Sequence, residues 1–277
     1  MKAALLQLCS SDAPQDNLAQ TKELITSAAA RGAEVVMTPE VTNCVSASRD
    51  HQHAVLTYEN SDPTLHALRK QAEDLGIWIL IGSLALKSKN GDGRFVNRTF
   101  LISPTGEICA KYDKIHMFDV RVSETETYRE SAGYRPGAQA VTCVTPFGVL
   151  GLSICYDLRF PALYRQLAQA GAEFLIIPSA FSPVTGAAHW ETLLRARAIE
   201  TGCFVLAPAQ TGEHLAQKGR TRTTFGRSMV VGPWGDVIED AGTHPGVILV
   251  DLDRDKVTQA RRRIPSFNSN TRFVGPT

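Results

Sequence analysis

Three side chains that can take part in catalysis stand at the ends of apolar runs. Glu40 closes AEVVMTPE, Lys114 closes EICAKYDK, and Cys155 closes LGLSIC. Short runs of this kind predict buried strands, and α/β proteins bind their ligands at the carboxyl ends of strands. Together the three residues offer a nucleophile, an acid or base, and a cation, which is the set that covalent catalysis needs.

Each of these residues also has an ordinary structural explanation. Most free cysteines are small core residues, and Cys9 and Cys203, which lie inside predicted strands, fit that description. Cys155 differs because it precedes a turn into a helix, where N–H groups and a cation can lower a thiol pKa and stabilise an oxyanion. Glu40 alone would suit a loop cap, and Lys114 alone a solvated surface. The residues alone leave Cys155 open between core residue and nucleophile.

A histidine is the alternative base for this thiol. His116 and His189 raise the possibility of a Cys–His hydrolase. Spacing alone does not separate a histidine from Glu40 as the base.

The elements around these residues alternate short apolar strands with segments of helical period, a pattern typical of helices that cover sheets. The predicted helices span 16–32, 63–75, 187–202 and 253–263, with a further helix beginning at Pro161. The predicted strands span 3–9, 33–40, 77–86, 149–154, 173–180, 203–209, 224–232 and 246–252, with hairpin arms within 87–114. The polar segments 115–140 and 211–227 are interpreted as long loops near the site. We expect one domain over 1–277 with two sheets.

Composition narrows the functional class. The chain has 277 residues, 43% hydrophobic and 21% charged, with a formal net charge of +1, so a nucleic-acid or membrane partner is not expected. Six dispersed cysteines without CxxC spacing favour reduced thiols over a zinc site. The N-terminal apolar run is too short for a signal peptide, and no run is long enough for a membrane span, so we expect a soluble, cytoplasmic protein. The tail over 261–277, which opens with three arginines, is expected to be solvated or to contact a partner subunit.

Three motifs then identify a family. TPE at 38–40, KYDKIHMFD at 111–119 and GLSICYDLRFP at 151–161 resemble, in order, the three signature segments of the nitrilase superfamily of carbon–nitrogen hydrolases. The similarity extends from the first strand to SMVVGPWG at 228–235. Ala162 and Gly232 stand where the family commonly has Glu and Asp, which puts local contacts in doubt more than catalysis.

The resemblance implies a fold and a set of roles. The fold is an αββα four-layer sandwich that dimerises to an αββα–αββα arrangement, with no metal or organic cofactor. Glu40 would be the general base, Lys114 the oxyanion partner and Cys155 the nucleophile, and Glu130 matches a second glutamate that often assists. A non-catalytic binding protein of the same fold is the alternative, and the presence of all four residues speaks against it.

The segment 177–210 resembles an amidase branch of the family whose members act on small carboxylate-bearing amides; hydrolysis of N-carbamoyl amino acids or nitriles is a further alternative. A carboxylate-bearing substrate would need a basic pocket, for which arginine is suited by its planar fork of donors. The candidate substrate-binding residues are Tyr156, Arg159, Phe181, His189 and Arg222, with Arg220 and Arg227 in the same polar segment as Arg222.

Overall fold

The computed structural model describes residues 1–122, 124, 127–269, 271 and 274–275. Within them the strands are β1 (Lys2–Gln7), β2 (Val35–Met37), β3 (Trp78–Lys87), β4 (Phe95–Ile102), β5 (Ile108–Asp113), β6 (Asp119–Arg121), β7 (Thr127–Arg129), β8 (Val141–Thr145), β9 (Gly148–Leu152), β10 (Phe174–Ile176), β11 (Phe204–Ala207), β12 (Thr211–His214), β13 (Arg222–Phe225), β14 (Met229–Val231), β15 (Val237–Asp240) and β16 (Gly246–Asp251). The helices are α1 (Pro14–Ala30), α2 (Arg49–Val55), α3 (Pro63–Leu75), α4 (Pro161–Gln169), α5 (Pro183–Thr201) and α6 (Asp255–Arg263).

Two sheets of similar design form the centre of the molecule. The first has the order β16-β1-β2-β3-β4-β5 and the second β15-β14-β11-β10-β9-β8. In each sheet three neighbouring strands are parallel, β1-β2-β3 in the first and β9-β10-β11 in the second, and the outer pairings are antiparallel. The strands that precede Glu40 and Cys155 are therefore parallel strands of two different sheets.

Alternation along β1 shows how the layers are built. Ala3 and Leu5 face a core shared with side chains of the second sheet, such as Phe174, whereas Ala4 and Leu6 face a separate core beneath α1 and α3. Because successive strand residues point to opposite faces, the first sheet is buried on both sides. Side chains of α4 and α5 pack on the second sheet. The layers are therefore helix, sheet, sheet, helix, and the predicted αββα sandwich is confirmed.

Proline sets the true beginnings of two helices. The sequence pattern predicts helices from 16 and 187, but α1 begins at Pro14 and α5 at Pro183. Proline is favoured in the first turn because the N–H that it lacks would have no intrahelical partner there.

Both segments interpreted as long loops contain hairpins. Strands β6 and β7 pair within 115–140, and β12 and β13 pair within 211–227. Helix α2 was not predicted either, although its N-cap is visible in the sequence: the Ser48 side chain accepts a hydrogen bond from the His51 N–H.

The arginines that end α6 contact this chain. Arg261 donates to the carbonyl oxygens of Thr201 and Ala172, and Arg263 lies 3.9 Å above the Trp234 ring. Residues 270, 272–273 and 276–277 of the tail expected to contact a partner lie outside the described residues. Among the described residues, no helix is both long and apolar enough to pass through a membrane.

Candidate active site

Glu40, Lys114 and Cys155 meet at the carboxyl ends of β2, β5 and β9. Lys114 Nζ donates to Glu40 Oε1 at 2.9 Å. It also donates to both oxygens of Glu130, at 3.0 and 2.9 Å. The other oxygen of Glu40 accepts the backbone N–H of Ala180 at 2.8 Å. A buried lysine thus stands between two carboxylates, one of which lies against the cysteine.

Two residues of this centre have left-handed backbone conformations. Cys155 has φ of 50° and Val41, directly after Glu40, has φ of 47°. Such values are uncommon for residues other than glycine and are strained for a β-branched valine. Hydrogen bonds hold both turns: the Cys155 N–H donates to Pro178 O at 2.9 Å, and the Val41 N–H donates to Ser83 Oγ at 2.8 Å. The chain therefore turns sharply directly after Glu40 and at Cys155.

Gly82 allows the two sheets to approach each other beneath the site. A Cβ at this position would lie 1.9 Å from Thr38 O and 2.6 Å from Pro178 Cβ. These neighbours belong to the segment that leads to Glu40 and to the segment that accepts the Cys155 N–H. Any side chain at Gly82 would therefore force base and nucleophile apart.

The buried carboxylate of Asp157 joins the segments on which the lysine and the cysteine lie. It accepts the Ile154 N–H at 2.9 Å and the Tyr112 hydroxyl at 2.6 Å on one oxygen. Its other oxygen accepts the His116 N–H at 3.0 Å and lies 2.7 Å from His116 Nδ1. Ile154 directly precedes the cysteine, and Tyr112 and His116 bracket the lysine by two residues on each side. One carboxylate therefore fixes both segments.

Burial and neighbouring charges together set the pKa values of the three central groups. Burial raises the pKa of the Cys155 thiol well above its usual range, the charge of Glu40 adds to this, and Lys114 offsets only part of it. Burial acts to raise the pKa of Glu40 as well, but the charge and hydrogen bond of Lys114 lower it overall. Burial acts to lower the pKa of Lys114, yet Glu130 and Glu40 raise it well above its usual range. At neutral pH the centre therefore holds a thiol, a carboxylate and an ammonium group.

A cavity of about 240 Å³ opens onto these groups. Its aromatic wall consists of Phe118, Tyr128, Tyr134, Tyr156 and Phe181. Its arginines, here called the arginine rim, are Arg49, Arg129, Arg220 and Arg222. Among the described residues, no cluster of three or more His, Cys, Asp or Glu side chains is arranged to hold a metal ion. A thiol with an adjacent carboxylate and a shielded cation can carry out acyl transfer, in which the carboxylate takes the thiol proton and the cation stabilises the oxyanion.

Comparison with known proteins decides the family. The family model described as carbon–nitrogen hydrolase matches residues 2–262. The chain belongs to the carbon–nitrogen hydrolase family. It is 40% identical over 272 residues to the deaminated glutathione amidase of Yersinia enterocolitica, covering 98% of this chain and 93% of that one. It is also 40% identical to the protein of the same name from Synechocystis sp. strain PCC 6803, covering 96% of each.

A solved structure agrees with this assignment. The NitFhit protein of C. elegans superposes with a TM-score of 0.87 at 34% identity, covering 96% of this chain. This chain spans 64% of that protein. The chain is thus an enzyme of the carbon–nitrogen hydrolase type, with the fold that the sequence motifs implied.

Three of the five predicted substrate-binding residues of this hydrolase line the cavity, namely Tyr156, Phe181 and Arg222. Arg159 and His189 do not line it. The Arg159 guanidinium lies over the rings of Tyr156 and Phe181, at 5.8 and 5.5 Å, and 3.3 Å from His189 Nδ1. Arg159 thus supports the aromatic wall from behind the cavity surface.

The alternative base has no geometric support in the hydrolase. His116 bonds to Asp157 and stacks on Phe160 with ring centroids 3.5 Å apart, while His189 is exposed beside Arg159. Neither histidine lines the cavity, whereas Glu40 does.

Asn97 and Arg49 are among the site residues that the sequence analysis did not single out. Asn97, in β4, donates to Glu40 Oε1 at 2.9 Å. Arg49, the first residue of α2, lies 5.0 Å from the Tyr134 ring centroid. The N-cap serine before α2 was the available signal for Arg49, while Asn97 sits in a hairpin arm without any distinguishing pattern. Arg227 joined Arg222 as a candidate, but its guanidinium pairs with Asp240 instead.

Proposed function

We propose that this hydrolase cleaves a small carboxylate-bearing amide through a cysteine thioester and releases the amine of that amide, which is ammonia where the amide is primary. The observation that carries the proposal is the buried contact of Lys114 with Glu40 beside Cys155, open to a cavity that is rimmed by arginines. Deaminated glutathione is the first candidate substrate, because full-length relatives carry the name deaminated glutathione amidase. The amide of 2-oxoglutarate, the substrate of an omega-amidase, is the second.

In the first step Glu40 takes the thiol proton as Cys155 attacks the carboxamide carbon. This assignment follows from the pKa directions, because the thiol is neutral and the carboxylate ionised before substrate binds. Lys114 and the backbone N–H of Tyr156 would hold the tetrahedral oxyanion. Tyr156 lies in the first turn of the 3-10 helix Cys155–Arg159, where N–H groups lack an intrahelical acceptor. Each such donor contributes about 3 kcal/mol in other enzymes.

In the second step Glu40 returns its proton to the leaving nitrogen, so that the amine departs and the thioester remains. The amine is cysteinylglycine for deaminated glutathione and ammonia for 2-oxoglutaramate. Glu40 then takes a proton from water, whose oxygen attacks the thioester. The carboxylic acid is released, and Glu40 returns the proton to the departing sulfur, which restores the thiol and the carboxylate. Glu130 acts on Lys114: it accepts two hydrogen bonds from the ammonium group and one from the Phe118 N–H, at 2.6 Å, which ties the lysine to the segment before β6. We assign Glu130 the role of orienting Lys114.

The arginine rim supports an anionic substrate. Within the described residues, neither Arg49 nor Arg222 forms an ion pair with a carboxylate. Both are half-buried, and their charges lie close enough to Tyr134 to lower the pKa of its phenol, although burial raises that pKa more. Guanidinium groups that line a cavity and have no carboxylate partner among the described residues are suited to a substrate carboxylate. Several rim arginines favour a substrate with more than one carboxylate, which ranks deaminated glutathione first.

The test is hydrolysis of deaminated glutathione, measured as release of cysteinylglycine, and of 2-oxoglutaramate, N-carbamoyl amino acids and a nitrile, measured as release of ammonia. The substrates are ranked by kcat/KM. We expect mass spectrometry to detect an acyl group bound to Cys155 during the reaction. We expect Cys155→Ala to show no turnover above trace. Substantial turnover by that variant would contradict the proposal, and silence of the wild type on the whole panel would favour a binding protein.

We further propose that the chain folds as one domain over 1–277 and works as a homodimer in the cytoplasm. The shared core between the sheets supports the single domain. All six cysteines are free, and a reducing compartment keeps a thiol nucleophile active. The dimer follows from the family resemblance, and sedimentation equilibrium would test it: a monomer at micromolar concentration would contradict it.

A further inference from the structure

Asp12 is a buried carboxylate that the proposed mechanism does not use. It follows β1, is 1% exposed, and lines a neighbouring cavity of about 480 Å³ rather than the active-site cavity. Burying a carboxylate is costly unless hydrogen bonds satisfy it. The partners of Asp12 show which segments it holds.

On one side Asp12 holds the segment before β13. Its Oδ2 accepts the Gln217 N–H at 2.8 Å, and its own N–H donates to Leu215 O at 3.2 Å. This segment leads directly to Arg220 and Arg222 of the arginine rim. Residues 215–221 lie between β12 and β13 and belong to no strand. The two bonds to Asp12 therefore fix the position of this segment.

On the other side Asp12 holds α2. His51 Nε2 lies 2.8 Å from Asp12 O and 3.3 Å from Asp12 Oδ2. His51 is two residues after Arg49, another member of the rim, in helix α2. The two segments also touch each other, because a Cβ on Gly219 would lie 3.3 Å from Ser48 Cβ.

We propose that Asp12 is a positioning residue for substrate binding, which holds Arg49 on α2 and Arg220 and Arg222 on the following segment at the separation that the carboxylates of the substrate require. The inference rests on the proposed function, in which the rim binds those carboxylates. Asp12 touches neither the substrate nor the reaction centre. Its loss should therefore weaken binding of anionic amides and leave the chemical step unchanged.

The experiment compares Asp12→Asn with the wild type on two anionic amides, deaminated glutathione and 2-oxoglutaramate, and on neutral butyramide. We expect KM for the anionic amides to rise about 10-fold with kcat nearly constant, and kcat/KM for butyramide to change less than about 2-fold. The matched control is Asp16→Asn, because Asp16 is an exposed carboxylate of α1 beside the same cavity. This variant should leave KM and kcat unchanged for the anionic amides and for butyramide. An equal loss on anionic and neutral amides would show a merely structural role and overturn the inference.

Two further measurements keep the test decisive. His51→Gln breaks only the link to α2, so if Asp12→Asn does not fold, this variant should show the same selective rise in KM; no rise would overturn the inference. Calorimetry of glutarate binding to Cys155→Ala, with and without Asp12→Asn, needs no turnover. Weaker binding in the double variant supports the role of Asp12, and equal or undetectable binding in both overturns it. If glutarate binds more weakly to the double variant but the wild type hydrolyses no amide of the panel, the proposed function fails while the role of Asp12 stands.

Discussion

The reaction centre and the arginine rim occupy one cavity but are held by different means. Glu40, Lys114 and Cys155 are 4%, 2% and 7% exposed and stand at the ends of strands within the two sheets. The rim arginines lie on α2, on the small hairpins and on the segment before β13, outside both six-stranded sheets. The sheet ladders thus position the three residues proposed for the chemistry, whereas side-chain contacts such as those of Asp12 are proposed to position the arginines that bind the substrate.

This difference predicts how damage should appear in kinetics. A change at the reaction centre should lower kcat or abolish folding, because buried charges there depend on one another. A change at the rim should raise KM for anionic substrates and leave the fold intact. Variants at the reaction centre and at the rim test this division, beginning with the one of largest expected effect.

Replacement of Lys114 by methionine should have the largest effect. It leaves Glu40 and Glu130 without the ammonium group that both contact. We expect loss of the oxyanion partner to lower kcat by at least about 10²-fold. The uncompensated buried carboxylates should cost about 3–5 kcal/mol of unfolding free energy, measured by urea denaturation at neutral pH.

The double variant Lys114→Met with Glu130→Gln is the control for this prediction. Removal of one carboxylate should restore most of the lost stability but none of the activity. If kcat recovered together with the free energy of unfolding, Lys114 would have only a structural role. The reaction centre would then tolerate substitution without loss of kcat, as is expected of the rim.

Much of the reaction centre was predictable from the sequence, whereas only Arg220 and Arg222 of the arginine rim were. Glu40, Lys114 and Cys155 each end an apolar run, and the motifs around them are specific, so both position and role could be predicted. Arg49 lies on a seven-residue helix, and Arg159 is adjacent to the nucleophile region yet lies outside the cavity. Short helices and hairpins derive their positions from tertiary contacts such as those of Asp12, which sequence periodicity does not record.

Asp157→Asn tests whether one carboxylate positions both Lys114 and Cys155. An amide in place of the carboxylate would turn an NH₂ group toward the donors of Ile154 and Tyr112 or toward those of His116. We expect kcat to fall about 10²-fold, since a shift of about 1 Å at a reacting group has that effect, with KM little changed.

The matched control for this change is Asp113→Asn. Asp113 is at the end of β5, one residue before Lys114, and pairs with Arg98 away from the cavity. It should keep kcat within about 2-fold, because partly exposed ion pairs contribute little. Equal losses in both variants would mean that Asp157 stabilises the region without aligning it.

The protonation state of Cys155 gives a third test. Because burial and Glu40 raise the pKa of its thiol, no thiolate absorbance should distinguish the wild type from Cys155→Ala between about pH 6 and 8. Because the pKa of Glu40 is lowered, this base stays ionised over the same range, and iodoacetamide should alkylate Cys155 at a nearly constant rate. A free thiol would instead react about tenfold faster per pH unit below its pKa. Such a slope in the wild type would contradict base activation, and Glu40→Gln should lose the constant rate.

At the rim, Arg222→Met should produce a smaller and more selective effect. It removes a half-buried guanidinium from the cavity while keeping most of the apolar stem. We expect KM for 2-oxoglutaramate or deaminated glutathione to rise about 10-fold, the effect of a lost charged hydrogen bond, and KM for butyramide to stay constant. A fall in kcat on the neutral amide would place Arg222 in the reaction centre instead.

Arg159→Met should have the smallest effect, although Arg159 lies closer in sequence to Cys155 than any rim arginine. Its guanidinium contacts Tyr156, Phe181 and His189 and does not line the cavity, so its contribution should be limited to cation–π contacts with the aromatic wall. Such contacts contribute about 0.5–1 kcal/mol at exposed sites, which corresponds to a change in KM below about 5-fold. That change should be the same for anionic amides and butyramide, because a displaced aromatic wall does not distinguish charge. A selective rise for the anionic amides would instead show that Arg159 reaches the substrate carboxylate once substrate is bound, and the rim would then extend to the residues that follow the nucleophile.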